Sequence, residues 1–206
     1  MRILGPCALY DQSEGDAAMH MARPKRRWTI EELHSLPDDG NKYELIHGEL
    51  FVTPAPSDNH ETVGARLTRL IDPYVAANDL GLVYHPRAVI RIGDDSEVEP
   101  DLMVRQPQAS RRASWVGAPT PILVVEIASP TTRRRDRLYK RNVYAEAGIP
   151  EYWMVDSDER TICVARPGHE DVIASETLTW HPAGAALPLT FRLDDVFGLE
   201  HFVEPT

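Results

Sequence analysis

The sequence predicts an α/β fold, a mixed sheet flanked by helices, and three stretches carry that expectation. Residues 42–52 read as two strands about a His47-Gly48 turn. From Asp58, the apolar residues Val63, Leu67, Leu70, Ile71 and Tyr74 recur on one helical face. Residues 121–127 form an unbroken branched apolar run of strand length, with one glutamate, Glu126, inside it. In order the chain reads helix, hairpin, helix, several strands, helix, strands, which suggests an α/β sandwich around one sheet. A chain of 206 residues can bury a real core.

Residues 1–26 lack periodicity and are interrupted by Gly5, Pro6, Gly15 and Pro24, so they read as a flexible extension, with Met19 and Met21 as alternative starts. The domain is then residues 27–206. Residues 28–36 make a short helix with Thr29 as N-cap and Glu32 completing a capping box. Pro54 and Pro56 close the hairpin. The next helix starts at Asp58, with Glu61 at capping-box spacing, and Pro73 is expected to kink or end it. His60 in its first turn reads as a plain capping-region histidine ahead of a phosphate ligand.

Residues 82–85, 88–92 and 97–104 read as strands, 106–120 as an irregular loop, and 121–127 as the central strand. A helix follows the turn at 129–132, stops at Gly148, and buries Tyr139, Val143 and Ala147. Residues 151–155 and 161–165 are strands joined by a polar turn. Residues 187–191 make an edge strand and 193–197 a closing turn.

Composition excludes several classes. A net charge of −10 argues against a protein that coats nucleic acid indiscriminately, although six of the 22 Lys and Arg residues fall between Arg133 and Arg141. Cys7 and Cys163 make neither a metal spacing nor a disulfide framework, and the eight histidines form no zinc motif. No apolar run approaches the roughly 18 residues of a membrane helix. The N-terminus lacks the shape of a signal peptide. A soluble, cytoplasmic protein without membrane contact is the expectation.

The chemistry concentrates between Glu99 and Arg141. An unpaired carboxylate in a buried strand costs several kcal/mol, so Glu126 needs a neutralising partner. A divalent metal shared with Asp101, with Lys140 beside it, would supply one, since Mg²⁺ sites use one or two carboxylates with water and substrate phosphate. Plain readings stand beside this one. Glu126 could be a structural acid paired with an arginine of the next helix, and Asp101 could simply end a strand. Lys140 could be a surface charge paired with Asp136, and Arg133, Arg134 and Arg135 a solvated first turn.

Pro100-Asp101 followed 25 residues later by Glu126 resembles the signature of the PD-(D/E)XK phosphodiesterase superfamily. The longer string is more specific: Tyr43-Glu44-Leu45-Ile46-His47-Gly48-Glu49-Leu50, Glu99-Pro100-Asp101-Leu102, Val124-Val125-Glu126-Ile127-Ala128-Ser129-Pro130, then Asp136, Lys140, Tyr144, Gly148 and Glu151-Tyr152-Trp153. Over about residues 28–198 it resembles the bacterial family described as putative restriction endonuclease.

That resemblance implies a restriction-endonuclease-like fold and a metal-dependent endonuclease acting on DNA, by default double-stranded, with a homodimer allowed for. By matched position, Asp101 and Glu126 are metal ligands for Mg²⁺ or Mn²⁺, Glu44 is a third, and Lys140 is catalytic. Arg133, Arg134 and Arg137 would meet backbone phosphate. The resemblance departs at Ala128, where the superfamily lysine is expected, so Lys140 on the following helix is its substitute. The alternative is a module of the same fold that binds nucleic acid or a partner without turnover. A glycosidase using two carboxylates fits less well, because the four tryptophans are scattered.

Overall fold

The structure is a computed structural model and describes residues 26–110, 113–128 and 139–198. Its first elements are α1 (Ile30–His34), β1 (Lys42–Ile46), β2 (Glu49–Thr53) and α2 (Asp58–Ala77). Five strands follow: β3 (Leu82–Tyr84), β4 (Ile90–Ile92), β5 (Ser96–Val98), β6 (Leu102–Arg105) and β7 (Leu123–Ala128). Then come α3 (Arg141–Glu146), β8 (Tyr152–Asp156) and β9 (Thr161–Ala165). The chain ends with β10 (Val172–Ala174), β11 (Thr177–Trp180), β12 (Leu189–Arg192) and α4 (Leu193–Phe197).

The α/β class holds, but the strands divide among more than one sheet. Strands β2-β1-β5-β4 form an antiparallel sheet, β10-β9-β8-β7-β6-β3 a mixed one in which only β7 and β8 run parallel, and β11-β12 a separate ribbon. The stretch expected as one strand over 97–104 is cut in two, with β5 in the first sheet and β6 in the second. Pro100 explains the break: it has no N–H for a ladder, and its ring restricts the residue before it. Strands β10 and β11 were not anticipated, being short and half exposed, and residues 193–197 are a helix rather than a turn.

Local chemistry accounts for the remaining boundaries. His47 and Gly48 both take positive φ, 49° and 74°, as a tight two-residue hairpin turn requires. Thr29 and Glu32 form the expected capping box. Helix α2 is capped by Ser57, one residue before the expected Asp58, whose charge instead sits in the first turn where the helix dipole favours it. Pro73 does not end this helix. It lies on the exposed side, so the carbonyl that loses its partner faces water, while Val63, Leu67, Ile71 and Val75 stay buried on either side of it.

Helix α2, β12 and α4 cover one face of the six-stranded sheet over a core that includes Leu67, Ile71, Leu102, Val125, Trp153 and Val196. Helix α3 and the four-stranded sheet cover the other face over Met103, Val124, Val143, Tyr144 and Met154. Strand β7 lies between β6 and β8, and all six of its residues are buried. Residues 1–25, and with them nearly all of the expected extension, lie outside the described residues. No helix among the described residues is long and apolar enough to cross a membrane.

Candidate functional site

Strand periodicity places Glu126. Leu123, Val125 and Ile127 face the α2 core, and Val124 and Ala128 face the α3 core, so Glu126 points to the α3 side and is buried. Strands β6 and β7 pair with Leu102 opposite Val125, and one further step of that register sets Asp101 opposite Glu126. Asp101 stands where the chain passes from one sheet to the other, and the Ile127 N–H donates to its Oδ2 at 2.7 Å.

Helix α3 brings up the neutralising cation. Lys140, at its start, is 0% exposed, with Nζ 2.7 Å from Glu126 Oε1 and 2.8 Å from Glu44 Oε1. The Tyr144 hydroxyl, four residues on, donates to the same Glu126 oxygen. The surface-charge reading of Lys140 is therefore wrong, while Arg141, the described arginine of this helix, pairs with Asp171 and the arginines at 133–137 lie outside the described residues. The buried stripe of this helix also differs from the expected one: Tyr139 is 44% exposed, and Lys140, Val143 and Tyr144 face inward. Gly148, at φ 73°, ends the helix as expected, with Gly148 N–H donating to Ala145 O and Ile149 N–H to Tyr144 O.

Glu44, the expected third ligand, is fully buried on β1, where its Oε1 also accepts from Glu99 N–H at 3.0 Å. Neither Glu44 nor Lys140 lines the adjoining cleft of about 870 Å³. Lys42, His60, Glu99, Asp101, Glu126 and Ile127 do. Arg133, Arg134 and Arg137 lie outside the described residues.

Sequence reasoning missed two of these side chains. Lys42 stands two residues before Glu44 on β1, and its Nζ lies 3.2 Å from Asp101 Oδ1 and 4.0 Å from Glu126 Oε2, while donating to Glu99 O. His60 reads from the sequence as a capping-region residue, yet its Nε2 lies 3.1 Å from Asp101 Oδ2. Spacing held a clue to both. Lys42 and Glu44 share a strand face, and His60, Gly64 and Thr68, all lining the cleft, share a helix face.

Glu44, Asp101 and Glu126 face two ammonium groups, Lys42 and Lys140, and the His60 imidazole. Burial opposes the charge on Lys42, but Glu44, Glu126 and Asp101 outweigh it and lift its pKa well above the usual lysine range. Burial likewise opposes the charge on Asp101, and the His60 hydrogen bond, with Lys42 and His60 beside it, overcomes it and holds the carboxyl far below its ordinary value. For Glu126 burial wins over both lysines and pushes the carboxyl up to about 7. Burial opposes the charge on His60, but its bond to Asp101 and the charges of Asp101 and Glu61 together raise it. Both shifts favour the protonated forms of Glu126 and His60.

Among the described residues no group of three or more His, Cys, Asp or Glu is arranged to hold a metal ion. Asp101 Oδ1 and Glu126 Oε2 nevertheless face one cation, the Lys42 ammonium, at the edge of an open cleft. Two carboxylate oxygens completed by water and phosphate are what Mg²⁺ accepts, so the donor set fits once Lys42 moves aside.

The Uma2 family model, described as putative restriction endonuclease, matches residues 30–194. A solved structure described as a putative nuclease belonging to DUF820, from Anabaena variabilis, is similar with a TM-score of 0.68 and 22% identity, covering 82% of this chain and 97% of that one. This likeness shows the restriction-endonuclease-like fold. The Synechocystis sp. protein named Uncharacterized protein slr1290 is 26% identical over 117 residues, which span 56% of this chain and 61% of that relative.

Proposed function

The chain belongs to the Uma2 family, and from that premise we propose that it is a metal-dependent endonuclease hydrolysing DNA phosphodiester bonds. One observation carries the proposal: two carboxylate oxygens, on Asp101 and Glu126, converge on a single cation at the edge of a cleft. Asp101 and Glu126 would hold Mg²⁺ or Mn²⁺. Such an ion, when bound, polarises the phosphate and lowers the pKa of a water.

The chain's own residues do the rest. Lys140 and Tyr144 fix Glu126, and Glu44 fixes Lys140, so Lys140 acts as a positioning residue behind the carboxylates. His60 and the Ile127 N–H aim Asp101 by engaging its Oδ2, which leaves Oδ1 for the cation. Lys42, which lines the cleft, would meet the charge that develops on the phosphate once the ion displaces it from the two acids. Arg133, Arg134 and Arg137, just before Lys140 in sequence, remain the proposed contacts to duplex backbone.

A second reading, a module that binds without cutting, draws on the Lys42 ammonium already sitting between the two acids. Calorimetric titration with Mn²⁺ separates the two. The nuclease reading expects binding heat that disappears in Asp101→Ala, and the absence of heat from the wild-type protein favours the inactive module.

A further inference from the structure

Strand β6 ends in Arg105. It is 3% exposed, four residues and about 13 Å along the strand from Asp101. Its Nη1 donates to the Gln106 carbonyl at 2.9 Å, while Nε is buried with no hydrogen-bond partner. Among the described residues no carboxylate pairs with it. Its guanidinium instead stacks on aromatic rings, with Cζ 4.1 Å from the Tyr84 ring centre and 5.5 Å from that of Trp115.

Arg105 lines a second cavity of about 310 Å³, between β4, β6 and the loop at 115–121. The other charged groups around this cavity have partners. Arg91 lies 3.0 Å from Glu97, and Glu146 lies 3.4 Å from His47. A buried guanidinium is costly without an anion, and ring stacking offsets only part of that cost. The fork of an arginine is shaped for two oxygens of one phosphate or carboxylate. Trp115, 39% exposed, supplies a flat apolar wall beside it. The volume lies at the small end of ligand pockets.

We propose that this cavity is a second binding site, distinct from the Asp101 cleft, for a phosphomonoester that carries a flat ring: the phosphate on Arg105 and the ring against Trp115. Nucleoside monophosphates have this chemistry, either free or as the 5′-phosphorylated end of a nucleic acid. The inference does not depend on the nuclease reading.

The test is titration of the full chain with dAMP, deoxyadenosine, and a short oligonucleotide with and without a 5′-phosphate, in chelator, following heat and tryptophan fluorescence. The site predicts a phosphate-dependent ligand that binds wild type and Asp101→Ala alike. Binding should weaken about tenfold or more in Arg105→Gln and in Trp115→Ala. Tighter dAMP binding assigns a free nucleotide, and tighter binding of the phosphorylated oligonucleotide assigns a strand end. Trp115→Ala alters a partly exposed side chain, so it keeps the test decisive if Arg105→Gln fails to fold. The proposal is overturned if neither phosphorylated ligand binds at millimolar concentration, if deoxyadenosine binds equally well, or if binding survives Trp115→Ala or is lost in Asp101→Ala.

Discussion

Replacing Lys140 with methionine keeps the length and apolar stem of the side chain but deletes the charge between Glu126 and Glu44. Both carboxylates are buried, so neither can turn to water for compensation. Removing one partner of a buried ion pair typically costs about 3–5 kcal/mol, a large share of the roughly 5–15 kcal/mol that holds a domain together. The loss should depend on pH. Lys140 favours the ionised form of Glu126, so its removal is felt most at a pH where the wild-type carboxylate is charged, and least near pH 5, where Glu126 holds its proton. Urea unfolding of wild type and Lys140→Met at pH 8 and pH 5 would therefore show a large destabilisation at pH 8 and a smaller one at pH 5. Adding Glu44→Gln to Lys140→Met should recover part of the loss, because it removes one of the stranded charges. A change below about 1 kcal/mol at pH 8, the value of an exposed pair, would refute the reasoning.

Further expectations follow from the same cluster. Glu126 titrates near 7 in the folded chain against an ordinary 4.5, so between those values the folded state holds a proton that the unfolded chain has released. Metal-free protein should thus lose stability as pH rises from about 4.5 to 7, and His60, raised above 6.5, adds to the loss as pH passes its folded pKa. Thermal melts in chelator check this, and Glu126→Gln should flatten much of the slope; a wild-type protein that gains stability over that range would contradict it. His60→Ala removes one of the two groups that hold Asp101 Oδ2 and should weaken Mn²⁺ affinity by about 10–100-fold, measured by calorimetry. Lys42→Met removes the cation competing for the site, so Mn²⁺ should bind at least as tightly while cleavage falls by about a hundredfold.

Much of the site could be read from the chain because burial makes polar residues conspicuous. Glu126 was visible as an acid inside an apolar strand, and Asp101 as an acid after a strand-breaking proline. Lys140 was expected beside the two acids, but its burial was not legible, since nothing in helical periodicity separates a buried lysine from an exposed Tyr139 beside it. For Lys42 and His60 the spacing gives a face but not a partner. Each reaches Asp101 across 59 and 41 residues of chain, and such contacts depend on how sheet and helix dock rather than on local pattern. The division into two larger sheets escaped for a similar reason, because Pro100 marks a break but not the direction the chain takes after it. Strand β7 was the easiest element to place, as both of its faces are covered and its residues say so.

Cleavage of duplex DNA in the presence of Mg²⁺ or Mn²⁺, compared among wild type, Asp101→Ala and Glu126→Ala, tests the central claim most directly. The account predicts metal-dependent cutting by the wild-type protein that is abolished by chelator and falls to background in both variants. Equal cutting by all three proteins, or none by the folded wild-type chain, would contradict it.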